Sequence, residues 1–224
     1  MNISAELLLL LQHGDSFFPS GGFAASWGLE TLHHEGKITD ADSLAQFITG
    51  QLSARWASCD RPALVMVYRA GNDLDHIAQV DEELEALALA RDMREASRRA
   101  GRALLRVHAQ LGTPHASAYL GRVKTGQAYG HIPVSQGLVW RGVEMEEEAA
   151  VALSGHSLCI TFVSAAVRLG IISHIAAQRV LRTSHATLGE ILQTPPPSFL
   201  SSFTPAADIA MMRHEMQSVR LFAS

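Results

Sequence analysis

Residues 91–112 read RDMREASRRAGRALLRVHAQLG, and their pattern decides the fold. Met93, Ala96, Ala100, Leu104 and Val107 recur at spacings of three and four, the period of one helix face. Gly112 and Pro114 end the run, which is the longest helix the sequence predicts. The same period extends upstream. Thr39 with Asp42 makes a capping-box pattern, and the helix it opens places Leu44, Phe47, Ile48, Leu52 and Trp56 on one face. Asp60-Arg61-Pro62 reads as the start of another helix, since proline tolerates the first turn. Leu74, Ile77, Leu84 and Leu87 mark a further one. Residues 3–13 form a short apolar helix stopping at Gly14, and a second runs through Trp27, Leu29 and Leu32 to Gly36.

Downstream, residues 131–140 (HIPVSQGLVW) are the least helical stretch and read as a loop or a single extended piece. Glu144 and Glu146 to Glu148 then stand where a helix N-terminus belongs, ahead of the uncharged residues 149–167. That run approaches membrane-spanning length, but its serines, Thr161 and His156 favour a buried or interface helix. A helix from Ile175 to about Leu192 follows, halted by Pro195-Pro196-Pro197. Thr204 then caps a last helix, with Pro205 at its first position and Ile209, Met212, Met216 and Val219 at helical spacing. Nowhere do strands alternate with helices as a parallel sheet requires. The prediction is all-α, a single-domain bundle of about ten helices. Residues 1–203 make the bundle, and residues 204–224 are a docking helix and tail of the same domain.

Composition narrows the function. The chain has 224 residues, 47% of them hydrophobic, which suffices for one sizeable core. A net charge of −4 argues against a general nucleic-acid binder or a polybasic membrane-surface protein. Only 18% of residues are charged, which suggests that some apolar surface meets a partner. Cys59 and Cys159 form no CxxC pair, so a zinc ribbon and a thioredoxin-type site are excluded, and the compartment reads as cytoplasmic.

Motifs for chemistry fail one by one. Residues 121–126 have the glycine spacing of a P-loop, but Gln127 stands where the phosphate-binding lysine belongs. Gly14-Asp15-Ser16-Phe17 resembles an esterase nucleophile block, yet Asp208 is followed three residues later by Met211 and not by a histidine base. Eleven histidines invite a metal, but none has another four residues away, so scattered surface and capping roles are preferred. Arg91, Arg94, Arg98, Arg99, Arg102 and Arg106 line the helix opposite its apolar stripe. They are read as a solvated face tied to nearby acids such as Glu82, Glu83 and Glu85, in preference to a strip for an acidic partner. Gly21 and Gly22, flanked by Phe18, Phe23 and Trp27, make either a turn packed under its own aromatics or an interface anchor.

Five blocks in order carry a resemblance to a known family. They are Asp15 to Glu30 (DSFFPSGGFAASWGLE), Asp60-Arg61-Pro62, Arg91-Asp92-Met93-Arg94-Glu95, Ala166-Val167-Arg168-Leu169-Gly170 with Gln178 downstream, and Thr204-Pro205 through Arg213-His214-Glu215 to Arg220-Leu221-Phe222-Ala223-Ser224. Together they resemble the urease accessory protein UreF family across essentially the whole chain. Ser173-His174 departs from a Gly-Gln pair common in that family, so His174 is given no role.

The resemblance implies a helical, non-enzymatic scaffold that forms a homodimer and needs no cofactor. It implies binding of UreD (also called UreH), recruitment of the GTPase UreG with it, and nickel delivery to apo-urease. Neither nucleic acid nor membrane is an expected partner. Pro19, Gly21, Gly22, Ser26, Gly28 and Glu30 match the first signature, Arg168 and Gln178 the fourth block, and Arg213, His214, Glu215, Arg220 and Phe222 the last. These thirteen are the expected partner-binding residues, with no catalytic or metal-ligating residue among them. On the same resemblance the terminal helix is a tail that takes shape on UreD. Two alternatives stand beside the scaffold: an arginine, Arg168 or Arg94, inserted into UreG to stimulate GTP hydrolysis, and weak nickel binding by histidines.

Overall fold

The computed structural model describes residues 3–15, 17–19, 25–216 and 221–222. Among them there is no strand, and the all-α expectation holds. Helices α1 (Ile3–Gly14), α2 (Leu29–His34), α3 (Ala41–Gln51), α4 (Arg61–Ala70), α5 (Leu74–Leu87), α6 (Arg91–Gln110), α7 (Ala116–Lys124), α8 (Ile132–Gly142), α9 (Glu147–Arg168), α10 (His174–Leu192) and α11 (Pro205–His214) follow in chain order. The longest is α9, with 22 residues against 20 for α6, so the ranking expected from the sequence is reversed.

The largest correction concerns residues 131–140. They form α8, which packs against α4, α6 and α9 and is buried from Pro133 to Trp140. Two effects override its weak propensity. Burial on several sides rewards its valines and tryptophan, and Pro133 stands near the start, where a helix needs no donor. Its entry is fixed by Asp81 of α5, a carboxylate with no exposed surface. Asp81 accepts from the backbone N–H groups of Tyr129, Gly130 and His131 at 2.9, 2.7 and 3.0 Å, and from the Tyr119 hydroxyl at 2.8 Å. A buried carboxylate with four donors is satisfied, and it nails three elements together.

Helix α4 starts at Arg61 with Pro62 in its first turn, as Asp60-Arg61-Pro62 suggested, but no break precedes it. Residues Leu52–Asp60 form a π-helical segment, and helical backbone runs unbroken from Ala41 to Ala70. Pro62 cannot donate to a carbonyl one turn back, so the wider turn accommodates it. Carbonyls in this stretch bond outside the helix: Ser58 accepts from the N–H of Ser201 at 2.9 Å and Ala54 from that of Phe203 at 3.3 Å. Arg61 donates to the carbonyls of Ile191 and Thr194 at 2.9 and 3.0 Å, closing the C-terminal end of α10. The proline-rich connection before α11 is thereby stitched to the bundle.

Two caps differ from expectation. Asp40, not Thr39, caps α3, accepting from the Ser43 N–H at 2.8 Å, while the Ser43 hydroxyl receives the Asp40 N–H at 3.2 Å. Thr204 precedes α11, but its hydroxyl bonds Asp208 at 3.3 Å instead of a backbone N–H. Helix α9 is, among the described residues, the one helix long and apolar enough to cross a membrane, and over half of its apolar window is buried inside the bundle. The reading of residues 149–167 as a buried helix agrees with this packing.

Candidate partner-docking site

The first and last sequence blocks, about 190 residues apart, fold against each other. Ser26 is buried, and the turn after it takes positive φ at Trp27 (52°) and Gly28 (86°) before α2 begins. A Cβ on Gly28 would stand 3.0 Å from the Ala207 carbonyl oxygen and 3.3 Å from the Met211 side chain. Glycine is required there on both counts, conformational and steric. Helix α11 lies across this point, burying Ala207, Ala210, Met211 and His214 against α2 and the start of α6.

At the centre is Glu30, 1% exposed. Its Oε1 accepts from the Leu221 N–H at 2.7 Å. Its Oε2 accepts from the Phe222 N–H at 3.1 Å and lies 3.2 Å from Nε2 of His214. The other ring nitrogen, Nδ1, is 2.8 Å from Asp92. The imidazole therefore bridges two carboxylates from α2 and α6. Glu215 accepts from the Asp92 N–H at 3.3 Å, and Arg213 pairs with Glu35 at 2.8 Å. Lys37 and Arg213 together hold the Glu35 carboxyl below its usual range. The Phe222 ring is buried under the guanidinium of Arg168, 4.3 Å from its centroid, a cation–π contact.

Of the residues singled out in the sequence, Ser26, Gly28, Glu30, Arg168, Arg213, His214, Glu215 and Phe222 thus lie in one unit. Pro19 is exposed in the turn beyond α1, and Gln178 is exposed on α10, with no described hydrogen bond into the cluster. Gly21, Gly22 and Arg220 lie outside the described residues. Asp92 and Glu35 were missed as partners, although Asp92 sits inside the quoted RDMRE block.

The aromatic turn divides. Phe18 is buried against His13 and His108, while Phe17 is 94% exposed. The arginines of α6 mostly serve structure: Arg98 forks onto Glu85, Arg91 pairs with Glu95, and Arg94 donates to the carbonyls of Ala88 and Leu89 at 2.6 and 3.0 Å. Of the acidic triplet expected to face them, Glu85 pairs with Arg98 and, at 3.4 Å, with Arg94. Among the described residues no group of three or more His, Cys, Asp or Glu could hold a metal.

The outer side of the C-terminal unit is apolar as well. Ile209 and Met212 of α11, and Met216 and Leu221 beyond it, are all exposed. A surface helix normally turns polar residues outward; this unit turns apolar ones outward instead.

A family model described as UreF matches residues 38–185. The chain belongs to the UreF family. Its relatives include proteins named urease accessory protein UreF, three of which illustrate the likeness. That of Trichodesmium erythraeum (strain IMS101) is 33% identical over 98% of this chain and 97% of its own length. That of Bacillus sp. (strain TB-90) is 32% identical over 98% and 99%. That of Paenarthrobacter aurescens (strain TC1) is 31% identical over 97% of each. Matches of this length include the C-terminal unit, which lies beyond the residues the family model matches. Membership makes this chain an accessory protein of urease maturation.

Proposed function

We propose that the chain is a non-enzymatic scaffold: as a homodimer it binds UreD (UreH), with it recruits the GTPase UreG, and so helps nickel reach apo-urease. The observation that carries the docking part is the C-terminal unit, seated on Glu30 by one side and apolar on the other. A helix already held in place presents Ile209 and Met212 without the ordering cost a free tail would bear. The expectation of a tail that takes shape on the partner is thus replaced by a preformed helix, with the partner covering its outer face. Family membership along nearly the whole chain supports the maturation context.

Co-expression with cognate UreD and UreG, followed by size-exclusion chromatography, tests this. The full chain should co-elute with both. A version ending at Met216 keeps α11 but lacks Phe222, and should lose UreD. A full chain eluting alone near its own 24.2 kDa would refute both the scaffold and the dimer.

A further inference from the structure

Histidine spacing along the sequence shows no metal signature, but the packing of α9 against α10 creates one pair. His156 and His185, 29 residues apart, meet with Nδ1 of His156 at 3.0 Å from Nε2 of His185 and ring centroids 5.1 Å apart. They meet because the two helices close tightly there. Gly155 sits against Leu188 and Trp56, and a Cβ at that position would stand 2.5 Å from Leu188 and 2.9 Å from Trp56. Each imidazole therefore projects from a rigid helix, of 22 and 19 residues respectively, and the pair is preorganised by the core beneath it.

We infer that His156 and His185 form a bidentate site for a late first-row divalent transition-metal ion. Two nitrogens bound at right angles to one ion, each about 2.1 Å from it, stand about 3.0 Å apart, which is the separation these rings already have. Imidazole is the ligand that Ni2+, Cu2+ and Zn2+ prefer among neutral side chains. Burial, and secondarily the neighbouring His185, holds the His156 pKa below its ordinary value, so the ring is neutral and ready to ligate at neutral pH. Without an ion one ring donates an N–H to the other. On binding, that ring changes tautomer, moving its proton to the far nitrogen, and both rings tilt from their head-on contact so that the facing lone pairs converge on the ion, with no net proton released. His185 is exposed, so the site opens to solvent. With two protein donors it leaves the other coordination positions to water or to a donor from another molecule, which makes the ion readily exchangeable. The inference uses only these two side chains and stands apart from the scaffold reading.

Isothermal titration of the full chain, prepared without a polyhistidine tag, with Ni2+ and then Cu2+ tests it. Binding of one ion per chain is expected, with Cu2+ tighter than Ni2+. His156→Ala and His185→Ala should each weaken it by about tenfold or more. His34→Ala, an exposed histidine of the adjacent pair at residues 33–34, should leave binding unchanged. Because His185 is exposed, His185→Ala should melt with the parent in the absence of metal, so this variant decides the matter even if His156→Ala folds poorly. Electron paramagnetic resonance of the Cu2+ form should show two imidazole nitrogens in the parent and one in His185→Ala. Unchanged affinity in both variants, or no binding of either ion by the parent, overturns the proposal. All of these readouts work without any partner protein.

Discussion

Replacing Glu30 tests the logic of the C-terminal unit most directly. Its carboxylate receives two backbone N–H groups and faces the His214 ring within a cluster closed to water. Glu30→Gln keeps the shape but can offer one oxygen. If that oxygen takes the Oε2 place, the bonds to Phe222 and His214 survive in neutral form, and the amide NH2 confronts the Leu221 N–H. Leu221 is exposed, so its N–H can turn to water, and the loss is that of weakening charge-assisted bonds, about 1.5–3 kcal/mol. Glu30→Ala leaves Nε2 of His214 and the Phe222 N–H without a partner in a buried site, and should cost about 3–5 kcal/mol. Hydrogen exchange reads this locally. With about 1.4 kcal/mol per tenfold, the Phe222 amide should exchange on the order of tenfold to a hundredfold faster in Glu30→Gln. The amides of α8, held by Asp81, should keep their protection. A Phe222 amide equally protected in parent and Glu30→Gln would show that the carboxylate does not hold the chain end, and the docking argument built on it would fall.

Other outcomes follow from the same structure. Burial, and then neighbouring His13, pushes the His108 pKa down to about 4, so between the ordinary value of 6.5 and 4 the unfolded chain takes up a proton that the native state refuses. Stability that is complete above pH 6.5 is therefore lost as pH falls toward 4. In His108→Leu the melting temperature should fall less steeply over that window, and an identical slope would contradict the assignment. Asp40→Ala should cost about 0.5–2 kcal/mol in chemical denaturation, whereas Thr39→Ala should stay within about 0.5 kcal/mol; the reverse order would restore the threonine cap. Gly28→Ala must force a left-handed residue, costing about 1–2 kcal/mol before any clash with the Ala207 carbonyl. Urea unfolding with an unchanged midpoint would mean that α11 does not press on that turn.

Helix existence was legible wherever an apolar stripe had one solvated side, as in α5 and α6. Residues 131–140 misled because a helix surrounded by neighbours carries no stripe: its period vanishes, and valine, proline and glycine then mimic a loop. At Asp60-Arg61-Pro62 the helix start was read correctly, but the widened helical turn that joins it to α3 is announced by no local pattern. Thr39 and Asp40 are adjacent candidates of similar chemistry, and the geometry of Ser43 chose between them. The residues of the C-terminal unit were legible only through family likeness. Glu30 and His214 lie 184 residues apart, and the meeting of such distant groups is a property of the fold. The same holds for His156 and His185, whose proximity depends on Gly155.

The π-helical segment makes the chain sensitive to length rather than to identity. The wide turn of Leu52–Asp60 holds extra chain between α3 and α4, so deletions there beyond what tightening to an α turn absorbs would rotate α3 by about 100° per residue relative to α4. Leu44 and Ile48, fully buried now, would swing out of the core, and the carbonyls of Ala54 and Ser58 would retract from the segment leading to α11. Insertions and deletions should therefore be far rarer in this stretch than amino-acid replacements, the opposite of what an ordinary surface turn tolerates.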